Sequence, residues 1–177
     1  MKVFLVILNA LLCLSFAQAQ DRANAVDWKL VQDECGEFSS ASESQIYETR
    51  EGKIVKIIDG NTLLFESKIE NGKKERFTID LAGIKASRNT KKFLRKNLLN
   101  KKFTVKGNIF SANNQNHLAI VYGKTAKLLE VNCFMLRNGI AEYEQFESNN
   151  IVPDSKTYYY KKAEEKAVNE KLGIWAK

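Results

Sequence analysis

A length of 177 residues, an apolar fraction of 44% and a single proline fit one folded domain of moderate size. They exclude a disordered or collagen-like chain and a long multidomain assembly. The formal charge of +7 comes from 28 Lys and Arg against 21 Asp and Glu, and its distribution along the chain is uneven.

Lys2 precedes the apolar run VFLVILNALLCLSF, and Ala17-Gln18-Ala19 then places small residues where a signal peptidase reads. Residues 1–19 are therefore expected to be a signal peptide. The run is short for a membrane span, and nothing later is apolar enough to be one. The expected product is exported: extracellular, or periplasmic in a bacterium. Loss of 1–19 leaves a charge of +6 and two cysteines, Cys35 and Cys133. An even pair in an exported chain suggests one disulfide, the alternative being two free buried thiols.

Residues 20–50 are expected to form an acidic N-terminal extension, rich in Ser. From 21 to 50, Arg22, Lys29 and Arg50 stand against seven acids, a balance of −4. Trp28 and Phe38 are its candidate anchors. The domain proper is expected over 51–177, where 24 basic and 14 acidic residues give +10.

Within the domain, Lys53–Ile58 and Thr62–Glu66 alternate as strands around the turn signal Asp59-Gly60-Asn61. Asn71-Gly72 marks a second hairpin, followed by a strand over Arg76–Leu81. Asn89 or Thr90 is the candidate cap of a helix to about Leu99, with Phe93, Leu94, Leu98 and Leu99 on one face. Lys102–Lys106 and His117–Tyr122 read as further strands. A helix from Thr125 or Lys127 to Asn138 stops at Gly139, and a last helix runs from Asp154 or Ser155 towards Gly173. Five short strands with three helices predict a five-stranded oligonucleotide-binding (OB) barrel.

The phrases GKIVKIIDGNTLLF, IDLAGIKASR, LAIVY, VNCFMLRNGIAEY and AEEKAVNEKLGIW occur in this order over residues 51–175. Together they resemble the staphylococcal nuclease (thermonuclease) domain family. The resemblance implies an OB barrel with three helices, and in active members Ca²⁺-dependent cleavage of DNA and RNA phosphodiesters. It also marks the residues that would do this. The family's Asp-Gly-Asp-Thr turn is Asp59-Gly60-Asn61-Thr62 here, so one calcium carboxylate is Asn61. In the block Arg-Leu-x-Gly-x-Asp-x-Pro-Glu, the phosphate-binding arginine is Asp80, the second calcium carboxylate is Lys85 and the general-base glutamate is Arg88. The slot of the second catalytic arginine holds Asn116. Of the polar site only Asp59 is retained.

These replacements oppose the chemistry. Calcium takes six to eight oxygens, and Lys85 supplies none and repels the ion. Arg88 is permanently protonated and takes no proton from water. Asp80 meets a phosphate with like charge where an arginine would stabilise it. The expectation is a catalytically inactive domain with no cofactor. The alternative is a working phosphodiesterase with a rebuilt metal site around Asp59, Asp80 and the lone histidine, His117, and only then a calcium requirement. Asp80 is expected to pair with Lys85 or Arg88, the alternative being a small acidic spot formed with Asp59.

Residues 85–106 carry nine basic residues and no acid. Burying that much unpaired charge is too costly, so a basic face is expected. The candidate polyanion-binding residues are Lys85, Arg88, Lys91, Lys92, Arg95, Lys96, Lys101 and Lys102, with Lys53, Lys56, Lys73, Lys74 and Arg76 as an extension. Candidate partners are a nucleic acid or sulfated glycan, or a protein; a monomer is expected. Of Tyr158, Tyr159 and Tyr160, one or two are expected to pack on the barrel. The family's helix phrase places a solvent-facing glutamate at Cys133, so a Cys35–Cys133 bond would staple the acidic extension to the basic domain.

Overall fold

A computed structural model describes residues 35, 48–69, 71–107, 117–123, 130–145 and 154–176. The chain divides into two units, Met1–Leu30 and Val31–Lys177, and all the described residues belong to the second. The expected signal peptide, the anchors Trp28 and Phe38, Asn116 and the start of the second expected helix lie outside the described residues.

Five strands carry the core: β1 (Glu48–Ile57), β2 (Thr62–Lys68), β3 (Lys74–Leu81), β5 (Lys102–Gly107) and β6 (His117–Gly123). Their hydrogen bonds close a ring in the order β1-β2-β3-β6-β5. Four of the pairings are antiparallel, and β3 pairs with β6 in parallel. This mixed ring with three helices is the OB-like arrangement that the strand spacing predicted. A second, two-residue ladder joins β4 (Ile84–Lys85) to β7 (Glu142–Tyr143). Elements this short leave no alternation to read in a sequence.

Alternation turns one face of each strand inward. In β3, Phe77, Ile79 and Leu81 are buried while Lys74 and Arg76 are exposed. Strand β1 breaks the period: a register shift between Ile54 and Lys56 lets both Ile54 and Ile57 reach the core. Gly52 sits where a Cβ would lie 2.3 Å from the Glu66 carbonyl oxygen and 2.5 Å from the Phe65 ring, so the strands close only over a glycine there. β1 begins at Glu48, inside the segment expected to be an extension.

The helices are α1 (Thr90–Asn97), α2 (Val131–Arg137) and α3 (Asp154–Asn169), followed by a 3₁₀ turn at Gly173–Trp175. Asn89 has helical dihedrals and makes no capping bond. Instead the buried Thr90 hydroxyl donates to the Ser87 carbonyl at 2.9 Å and accepts from the Ser87 N–H at 2.6 Å. α2 is buried from Val131 to Leu136 and holds the centre. Its Asn132 side chain accepts from the Val121 N–H at 3.1 Å and donates to the carbonyls of Ala82 and Ala119 at 2.9 and 3.1 Å. Every polar atom of that side chain is thereby matched, which is what makes a fully buried amide tolerable. Gly139 ends the segment with φ 58°, as a C-terminal glycine should.

Cys35 and Cys133 form a disulfide with Cα atoms 5.9 Å apart. Cys133 is fully buried, not solvent-facing as the family phrase implied. The cause is local: α2 has no solvent face from Val131 to Leu136, and Cys35, itself buried, is bonded against it.

Candidate functional site

The turn after β1 is held by Asp59. Its Oδ1 accepts from the Asn61 and Thr62 N–H groups at 3.0 and 2.8 Å, an Asx-type turn. Burial pushes the Asp59 carboxyl up, but these backbone donors and the nearby Lys91 ammonium outweigh it and hold the pKa below the usual value. Thr62 lies opposite Asp80 in the β2–β3 register, and its hydroxyl donates to Asp80 Oδ1 at 2.7 Å. The Asn61 amide donates to the Ile84 carbonyl at 3.3 Å. Asp59, Asn61, Thr62 and Asp80 are therefore brought together at this turn.

The cations at the neighbouring positions behave otherwise. Lys85 lies opposite Glu142 in the β4–β7 ladder and donates to it at 2.9 Å. The hydrogen bond and charge of Glu142 raise the Lys85 pKa. Arg88 is exposed. The expected pairing of Asp80 with Lys85 or Arg88 is thus not formed, because the ladder delivers Lys85 to Glu142 and Thr62 takes Asp80.

This donor set does not fit calcium. An Asp59 oxygen and an Asp80 oxygen are already engaged by protein donors, Asn61 is neutral, and the other two positions carry cations. Among the described residues no three His, Cys, Asp or Glu side chains cluster in a way that would hold a metal. The side chain of His117 lies outside the described residues.

The basic stretch forms a second feature. Arg88, Lys92, Arg95, Lys96, Lys101 and Lys102 are all exposed, and none makes a salt bridge among the described residues. Lys91 differs: its ammonium donates to the Ile58 carbonyl at 2.7 Å and pins α1 to the end of β1. On α1, Lys91 with Arg95 and Lys92 with Lys96 are like charges four residues apart, each pair costing about 0.2–0.5 kcal/mol. Arg95 and Lys96 recover part of this at the negative end of the helix. After α1 the chain passes directly to β1 and β5: the Asn100 N–H donates to the Ile54 carbonyl at 2.8 Å, and the Ile54 N–H to the Lys101 carbonyl at 3.2 Å. Lys102 then faces Lys53 across the β1–β5 pair, another like-charge juxtaposition. Lys56 is exposed nearby on β1, whereas Lys74 and Arg76 are both paired with Glu66.

One network escaped sequence reasoning. The Lys156 ammonium, 2% exposed, donates to Glu130 Oε2 at 2.6 Å and to the Cys35 carbonyl at 3.1 Å. The buried Tyr160 hydroxyl donates to the other Glu130 oxygen. The signal was present: Lys156, Tyr160, Ala163 and Ala167 share the buried side of α3 at helical spacing. A lysine at the head of an inward stripe implies a buried anion. Tyr160 is the packed member of the tyrosine triplet, while Tyr158 is 60% exposed and sits edge-on to Tyr159.

Comparison with known families matches residues 69–177 to the model for the staphylococcal nuclease homologue. No curated protein matches the chain. The match starts at the hairpin after β2, whereas the hydrogen-bonded ring already includes β1 and β2. With more than half of its length covered, the chain belongs to the staphylococcal nuclease homologue family.

Proposed function

We propose that this protein is an exported, non-catalytic nuclease-like domain that binds the phosphate backbone of nucleic acid through α1 and the adjoining strand ends. The observation that carries the reading is the set of exposed cations Arg88, Lys92, Arg95, Lys96, Lys101 and Lys102, which lack ion pairs among the described residues. Such charge is stabilised by releasing counterions from a polyanion. The disulfide accords with an oxidising compartment.

The absence of turnover follows from residue chemistry. A phosphodiester hydrolase needs a group to activate water and a positive clamp on the developing charge. Arg88 accepts no proton, and Asp80 presents a carboxylate already bonded to Thr62. Lys85 is occupied by Glu142.

The test has two parts. Purified protein incubated with DNA and RNA in Ca²⁺, Mn²⁺ or chelator should give no cleavage. Metal-dependent cleavage lost in Asp59→Ala or Asp80→Ala would establish the rebuilt-site reading instead. Fluorescence anisotropy with a labelled oligonucleotide should show affinity falling on the order of a hundredfold between 50 and 200 mM salt, the scale for about five phosphate contacts. Salt-insensitive binding, or none, refutes the electrostatic mode.

A further inference from the structure

A groove of about 1070 Å³ lies over β1, β2, the β2–β3 hairpin and the start of β5. It is separate from the Asp59–Asp80 cluster: Lys53 precedes Asp59 by six residues, on the order of 15–20 Å along the chain. Its lining carries both signs, but the acids are engaged. Glu48 pairs with Arg50, Glu66 pairs with Lys74 and Arg76, and Glu51 has interactions of its own. Lys53, Lys68 and Lys102 line the groove, are exposed, and make no ion pair among the described residues.

The strand register explains why these lysines matter. Lys53 stands directly opposite Lys102, and Lys68 directly opposite Lys74. Like charges facing each other across a sheet are unfavourable. Lys74 is neutralised by Glu66, which also stands opposite Lys53 across β1–β2, so the juxtaposition left for an anion to relieve is Lys53 with Lys102, with Lys68 further along the groove. Lys53 and Lys102 also adjoin the α1 surface, through the bonds of Asn100 and Lys101 to Ile54. The groove's Lys53 and Lys102 thus flank the segment by which the chain leaves α1.

We infer that the groove is a second subsite for a single-stranded nucleic acid, into which a strand seated by its phosphates on α1 continues past Lys53 and Lys102 towards Lys68. The inference rests on the polyanion-binding reading and adds the path and the form of the ligand. The path passes from a helix surface on to a sheet face. A flexible single strand follows such a path, whereas duplex DNA is stiff over about 50 nm. Recognition is by backbone alone: the exposed large apolar residues among those described are Ile58, Tyr158 and Val168, and none lines the groove. No base-stacking platform of the usual kind is offered there.

The experiment compares labelled oligo-dT of four and sixteen nucleotides, with oligo-dA and oligo-dC of sixteen, on the intact disulfide-bonded protein. Wild type should bind dT16 at least tenfold more tightly than dT4, with similar affinity for the three homopolymers. The variant Lys53→Glu/Lys68→Glu should weaken dT16 far more than dT4 and so lose the length gain. Its salt slope on dT16 should fall by roughly 1 to 2, at about 0.7 for each lost contact. Lys53→Gln/Lys68→Gln should show the same trend more weakly, which guards against a folding artefact of charge reversal. The α1 variant Lys92→Glu/Arg95→Glu/Lys96→Glu should weaken both lengths alike. If dT16 binds both groove variants as it binds wild type, the groove is not a subsite and the α1 reading survives. If no oligonucleotide binds wild type, both readings fall.

Discussion

Substituting Lys156 by methionine tests whether the buried network is as demanding as its geometry implies. The change keeps much of the side-chain volume but removes the ammonium that donates to Glu130 and to the Cys35 carbonyl. Glu130 is only 4% exposed and would keep the Tyr160 hydroxyl as a donor. Breaking a buried ion pair by removing one partner costs about 3–5 kcal/mol, because the remaining charge is stranded. With an unfolding slope of about 2–3 kcal/mol/M in urea, the midpoint should fall by about 1.5 M. The cost is a large part of the ~5–15 kcal/mol that holds a typical domain together. Glu130→Gln should also destabilise, since it removes the carboxylate that neutralises the buried Lys156. The double variant Lys156→Met/Glu130→Gln should lie well above the sum of the two, with a coupling of about 2–3 kcal/mol. The assay is equilibrium urea unfolding followed by tryptophan fluorescence, with the disulfide intact in every variant. A Lys156→Met midpoint within about 0.3 M of wild type, or additive effects, would refute the argument that this pair is desolvated and interdependent.

Other outcomes follow from the same physical picture. Cys35→Ser opens a covalent loop whose ends are 98 residues apart; loop-closure entropy of that length is worth about 4–5 kcal/mol, so the melting temperature should drop by about 10 °C or more, and reducing agent should have no further effect on the variant. Asp59→Ala removes an acceptor of two backbone N–H groups and should cost about 1 kcal/mol near neutral pH, small because the site is exposed. The Asp59 pKa is lowered on folding, so its contribution is present above the ordinary carboxylate range and fades as pH falls below about 4; wild-type and variant unfolding curves should converge there. Gly139→Ala places a Cβ 2.2 Å from the Leu172 carbonyl oxygen at a φ of 58°; both strain and clash act on α2's end, and thermal melting should show a loss exceeding about 2 kcal/mol.

The strands and their hairpins were legible because their physics is local. Phe77, Ile79 and Leu81 alternate with polar residues, and Gly72 has the positive φ that the Asn71-Gly72 signal implied. The Asp59 turn and the exposed cations between Arg88 and Lys102 were legible for the same reason, whereas Lys91 and Lys106 are half-buried. What the sequence hid depends on register between distant segments. Nothing near Lys85 announces Glu142, and the pairing exists only because β4 and β7 meet. The Lys53–Lys102 opposition arises from β1–β5 register in the same way. The Cys133 environment was misjudged because a family's usual glutamate suggested solvent, whereas this chain brings Cys35 against the helix.

The bond between Cys35 and Cys133 also sets how the domain responds to proteases. It encloses the chain from residue 36 to residue 132, which includes β1 through β6. A single cut anywhere in that stretch yields two fragments still joined through sulfur. In an oxidising milieu such a nicked molecule keeps its mass and the means to hold its ring together, and only a reductant lets the pieces part.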